Sequence, residues 1–182
     1  MLYILFIIYL KCLSIRKNLI LNEFENEKLN IIRTFFTYTS FGHLLSCILY
    51  FYNYNYLLNT SVFCILFTNT AGFWCVEYPK TKKDASVLDI LSHGPSLLHY
   101  IIVQDNVTEI KLTYVQYPII LSLFWLCCIW FPWYMKTNFP IYESLSNNLS
   151  FSSKFINILK ILNINCLGFI LYYSYIHNQY LL

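Results

Sequence analysis

The stretch KLTYVQYPIILSLFWLCCIWFPW, Lys111 to Trp133, decides how this chain folds. After Lys111 no charge appears until Lys136, and the apolar side chains are spread around every side of a helix. A surface helix of a soluble domain keeps a polar face, whereas a bilayer-crossing helix needs roughly 20 mostly apolar residues. Strands of a membrane barrel alternate apolar and polar positions over about 10 residues, and this run does not alternate. Four further runs of the same kind lie outward from it, Ile31 to Tyr52, Leu57 to Val76, Ser86 to Val103 and Phe155 to Ile176, each flanked by polar residues. At the N-terminus, Met1 to about Leu21 opens as MLYILFIIYL and then meets Lys11, Arg16 and Lys17. It reads as a short span or an uncleaved signal anchor, because the basic leader and small-residue cleavage site of a removable signal peptide are missing. The expectation is an all-α fold, a polytopic transmembrane helical bundle of about six spans, forming one integral membrane domain over residues 1–182.

Composition agrees. Of 182 residues, 58% are hydrophobic, 20% aromatic and 12% charged, about half the charge of ordinary soluble domains. With a mean hydropathy of +0.51, a domain this small has no core large enough to hide its apolar side chains from water. The net charge of +3 comes from scattered basic residues without a clustered patch, which argues against a nucleic-acid partner. Seven cysteines lie mostly in apolar runs with no C-x-x-C or Cys/His spacing, and the four histidines are dispersed. They read as small apolar fillers and isolated imidazoles, so no metal and no cofactor is expected.

Basic residues orient the spans. Residues 11–33, 77–85 and 134–154 hold ten Lys and Arg, while the alternate set, around 53–60, 104–111 and the C-terminus, holds only Lys111. The positive-inside rule puts the first set in the cytosol and both chain ends outside or in the lumen, in the endoplasmic reticulum or plasma membrane. Two Asn-x-Ser/Thr triplets, at Asn59 and Asn106, fall in expected lumenal loops, and a third, at Asn148, falls in a cytosolic one.

Polar groups inside a bilayer are costly and mark function or helix contact. Two clusters qualify: RTFFTYTSFGH, Arg33 to His43, and DILSHGPSLLHY, Asp89 to Tyr100. In the structural account, Thr34, Thr37, Thr39 and Ser40 bond to carbonyls one turn earlier, while Gly94 and Pro95 kink the helix and His93 serves freed backbone groups. In the functional account, Thr37 and His93 enter from the same side and, at about 1.5 Å per residue, lie at a common depth of roughly 9–11 Å. A threonine hydroxyl is a weak nucleophile until a base takes its proton, and imidazole suits that task. Thr37 and His93 are thus a minimal acyl-transfer pair, with His43 and His99 as less favourably facing bases.

At these clusters the chain resembles the androgen-induced and androgen-dependent family of multipass membrane hydrolases. Phe35-Phe36-Thr37-Tyr38 is similar to that family's Thr nucleophile in its aromatic context, and Asp89-Ile90-Leu91-Ser92-His93-Gly94-Pro95 to the fungal form of its His element. Phe73-Trp74-Cys75-Val76-Glu77-Tyr78-Pro79 and Asn138-Phe139-Pro140-Ile141-Tyr142 agree loosely, and the likeness follows most of the chain in order. It implies hydrolysis of fatty acid esters of hydroxy fatty acids, with Thr37 as nucleophile and His93 as base, and a lipid ester and the bilayer as partners. Animal members carry a second His three residues on; in that register the base position is Ser96. The chain is also shorter than typical relatives. The competing class is a non-catalytic multipass protein, a transporter or scaffold, in which Asp89 is the main intramembrane charge. An acyl-transferring lipid synthase is a third class, for which paired histidines at catalytic spacing are missing.

Overall fold

The computed structural model describes residues 2–21, 27–51, 56–78, 87–103, 109–137, 141, 142, 145 and 149–179. Regular structure among the described residues is helical throughout: α1 Leu2–Leu21, α2 Glu27–Phe36, α3 Tyr38–Phe51, α4 Tyr56–Gly72, α5 Val87–His93, α6 Pro95–Val103, α7 Gln116–Phe124, α8 Phe131–Thr137 and α9 Phe151–Gln179. A π turn, Phe73–Glu77, extends α4, and a second, Trp125–Trp130, joins α7 to α8.

Among the described residues, three helices are long and apolar enough to cross a membrane: Tyr56–Cys75, Leu112–Thr137 and Phe151–Asn178. They match three of the expected spans. The expected spans Ile31–Tyr52 and Ser86–Val103 are each broken in two, at Thr37 and at Gly94. The second break follows from sequence: Pro95 lacks the N–H that an interior helical position donates, yet fits the first position of a new helix. The Gly94 carbonyl then accepts the Leu97 and Leu98 amides at 3.1 and 3.3 Å.

α4 is the centre of the bundle. Its residues Asn59 to Leu66, Thr68 and Asn69 are buried around the whole helix, and α3, α7 and α9 pack against it. α9 turns Asn165, Phe169, Tyr172 and Ile176 inward, three or four residues apart, while Ile156, Leu159, Leu167, Ile170 and Leu171 on its other side are exposed. Both faces are apolar, so the outward one suits lipid rather than water. Close approach rests on glycine: a Cβ on Gly42 would lie 2.9 Å from Ile65 Cγ2, and one on Gly168 2.8 Å from the Phe67 ring. Small residues at such contacts let membrane helices pack tightly without a hydrophobic drive between them.

Two expectations from the loops change. Residues 11–33 are mostly helical, so Lys11 lies midway along α1 rather than in a cytosolic loop. Asn59 lies in the first turn of α4 and is buried, because the apolar run begins earlier than its polar triplet suggests. The triplets at Asn106 and Asn148 lie outside the described residues.

Candidate functional site

The break between α2 and α3 places Thr37. Its Oγ1 accepts the Ser40 amide at 3.1 Å, three residues into the new helix, which makes Thr37 the N-cap of α3. The carbonyl that the break leaves free, on Phe36, accepts the Trp125 indole N–H at 3.0 Å. Tyr38 stands edge-on to Trp125, 5.1 Å between centroids, and its hydroxyl meets Ser122 Oγ at 2.6 Å. The buried Asn165 amide donates to the Tyr38 hydroxyl at 3.3 Å, Ser122 Oγ at 3.1 Å and the Ile161 carbonyl at 3.1 Å. The start of α3 is therefore tied to α7, to the π segment and to α9.

Hydroxyls elsewhere behave as the structural account expects. Thr60, Ser61, Thr68 and Thr70 each donate to the carbonyl four residues back, the usual satisfaction of a hydroxyl in an apolar helix. Around Thr37 that backbone bond is kept, Thr37 Oγ1 reaching the Thr34 carbonyl at 3.5 Å, but side chains there also bond to side chains. Thr37 Oγ1 lies 2.7 Å from Ser40 Oγ, and Ser40 Oγ accepts from Lys11 Nζ at 2.6 Å while donating to the Thr34 carbonyl at 2.5 Å.

His93 ends α5, and its ring lies flat on Phe73, 4.2 Å between centroids and 8° from parallel. Its Nε2 shares a hydrogen bond of 3.1 Å with Thr39 Oγ1. Thr39 also approaches Asn69 Oδ1 at 3.5 Å, and its amide donates to the Tyr142 hydroxyl at 3.4 Å. That hydroxyl interacts in turn with the side chains of both Thr37 and Thr39, and burial pushes the phenol above its ordinary range. Tyr142 is thus a neutral donor at physiological pH. Arg33 donates to the Ile141 carbonyl at 3.4 Å and ties this loop to α2.

Thr37 and His93 are thus brought to one polar cluster, with Thr39 and Tyr142 between them. His43 is fully enclosed on α3, and its ring nitrogens find no partner among the described residues. Ser96 is buried on α6. The side chains of Asp89 and His99 lie outside the described residues. Among the described residues no three His, Cys, Asp or Glu side chains gather as a metal site. Sequence reasoning passed over Lys11 and Asn69, placed Ser40 only as a hydroxyl bonding to backbone, and quoted Tyr142 only within a loosely similar stretch. A lone Lys or Asn inside an apolar run was the available signal for Lys11 and Asn69. Comparison with protein-family models, curated proteins and solved structures finds no match.

Proposed function

We propose that this chain is an integral membrane hydrolase that cleaves lipid esters, with Thr37 as the nucleophile and His93 as an acid–base group. The observation that carries the reading is convergence: Thr37, Phe73, His93 and Tyr142, from the four separate stretches of sequence that resemble the membrane hydrolase family, meet in one cluster. In this reading Thr37 Oγ attacks the ester carbonyl and expels the alcohol, and water then releases the acid from acyl-Thr37. Phe73 fixes the plane of the imidazole, and Thr39 and Tyr142 connect it to Thr37. The substrate class is the fatty acid ester of a hydroxy fatty acid, reached laterally from the bilayer. α1, the α2–α3 pair and the α5–α6 pair supply three further crossings, making six, in the endoplasmic reticulum or plasma membrane.

A second reading has its own observation. Thr37 caps α3, and a cap is sufficient reason for a threonine at that position; the chain would then be a non-catalytic multipass protein whose polar groups hold helices together. A fluorophosphonate probe on detergent extracts separates the two. Labelling that disappears in Thr37→Ala supports the hydrolase. Labelling that persists there, or no labelling of the parent protein, leaves the cap as the role of Thr37.

A further inference from the structure

We infer that Lys11, acting through Ser40, takes up the proton that Thr37 loses when it attacks the ester. This rests on the hydrolase reading above and adds to it a residue on α1. Lys11 Nζ, Ser40 Oγ and Thr37 Oγ1 form a continuous chain with steps of 2.6 and 2.7 Å. A lysine midway along an apolar helix is expensive in lipid, and by default it has a functional reason or snorkels to the surface. Lys11 does not snorkel; its neighbours Ile7 and Leu10 pack with Cys47 and Leu91, and its Nζ turns inward to Ser40. Among the described residues no carboxylate lies within ion-pair distance of it. At rest Ser40 Oγ accepts from Lys11 and donates its single proton to the Thr34 carbonyl, so the relay needs the Ser40 hydroxyl to turn from that carbonyl toward Nζ while its lone pair receives the Thr37 proton.

The steps balance as follows. Thr37 Oγ bonds to the ester carbonyl carbon while its proton moves to Ser40 Oγ and the Ser40 proton, turned from the Thr34 carbonyl, moves to Lys11 Nζ, which must enter the step as the free amine and leaves it as an ammonium. The tetrahedral intermediate collapses, the bond to the alcohol oxygen breaks, and the departing alkoxide receives that proton back through Ser40. Acyl-Thr37 and a neutral alcohol result. His93 serves the second half: it takes a proton from the attacking water and returns it, through Thr39 and Tyr142, to Thr37 Oγ as the acid leaves.

The rate of fluorophosphonate labelling of the purified full chain in detergent tests this. Lys11→Arg places a fixed charge and a donor there but cannot act as a base; Lys11→Ala removes the amine; Ser40→Ala breaks the chain with Lys11 intact. Each should label about 100-fold more slowly or worse, the scale of a lost general base, with tryptophan fluorescence melting curves showing that the proteins fold. Methylamine should restore part of the labelling in Lys11→Ala and none in Lys11→Arg. Parent-like labelling of Lys11→Arg overturns the inference and reassigns Lys11 to holding charge or binding an anionic group. A folded Lys11→Ala protein that methylamine does not rescue also contradicts it. If a Lys11 variant fails to fold, Ser40→Ala decides, and parent-like labelling there overturns the relay. An unlabelled parent, or labelling that persists in Thr37→Ala, removes the hydrolase reading and this inference together. Loss in Thr37→Ala with full labelling in Lys11→Arg removes only the inference.

Discussion

Replacing Gly42 with alanine tests whether the cluster depends on how closely α3 approaches α4. A Cβ there would sit 2.7 Å from Asn69 Nδ2 and 2.9 Å from Ile65 Cγ2, against an ordinary carbon contact of about 3.5–4.0 Å. The Asn69 amide ends a flexible side chain and can swing aside. Ile65 is fully buried, and its β-branched side chain has one good rotamer in a helix, so the helices must separate by roughly 0.5–1 Å to restore contact distances. Thr39 lies one turn earlier on the same face of α3, and its 3.1 Å bond to His93 would stretch beyond hydrogen-bonding range. Overpacking of this kind costs about 1–3 kcal/mol. Gly72→Ala is the internal control: nothing lies within 4 Å of its added Cβ, its backbone is ordinary right-handed helix, and the change should stabilise by about 0.5–1 kcal/mol. Unfolding by SDS titration in a mild detergent, followed by tryptophan fluorescence, reads both. In a Thr39→Val background the Gly42→Ala cost should shrink, since the two changes act on one contact. A Gly42→Ala protein within about 0.5 kcal/mol of the parent, or one that adds independently to Thr39→Val, refutes the reasoning.

Other expectations concern the site and its supports. Thr37→Ala should abolish ester hydrolysis with expression intact, while Thr37→Ser keeps part of it, because the hydroxyl survives and only the methyl that fixes its rotamer is lost; a serine variant as inactive as alanine assigns the residue to packing. His93→Ala should lose turnover of a fluorogenic lipid ester, and parent-like turnover would remove its acid–base role. Asn165→Leu, which deletes three hydrogen bonds, should destabilise by about 2 kcal/mol at roughly 0.6 kcal/mol per membrane hydrogen bond, read by the same SDS titration; a neutral result means the amide does not hold α9 to α3. Lys111→Cys and Lys136→Cys, exposed beyond or near the two ends of the Leu112–Thr137 helix, should react with an impermeant thiol reagent from opposite faces of sealed vesicles in a cysteine-free background. Reaction of both from one face would show that this helix does not cross.

What the sequence reveals differs between these elements. Lys111 to Trp133 announces a membrane-crossing helix because its composition alone satisfies the length and apolarity that lipid imposes. The break at Gly94-Pro95 is equally legible, since proline cannot donate inside a helix. The break at Thr37 is not: neither glycine nor proline marks it, and it holds through the Thr37 cap and through Trp125, which lies far along the chain. For the same reason depth counting brought Thr37 and His93 to one level but did not give Thr39 as the partner of Nε2, because two residues along a helix turn a side chain to a different face. Lys11 reads as a loop charge until α1 is seen to continue past it and pack on α2 and α5.

The most direct test of the central claim is the site of covalent modification. The purified chain, reacted with a fluorophosphonate in detergent, digested and mapped by mass spectrometry, should carry the phosphonyl group on Thr37 in the peptide around Phe35-Phe36-Thr37-Tyr38, and the adduct should be absent from Thr37→Ala. An unmodified chain, or an adduct on any other hydroxyl, would contradict the assignment of Thr37 as a nucleophile.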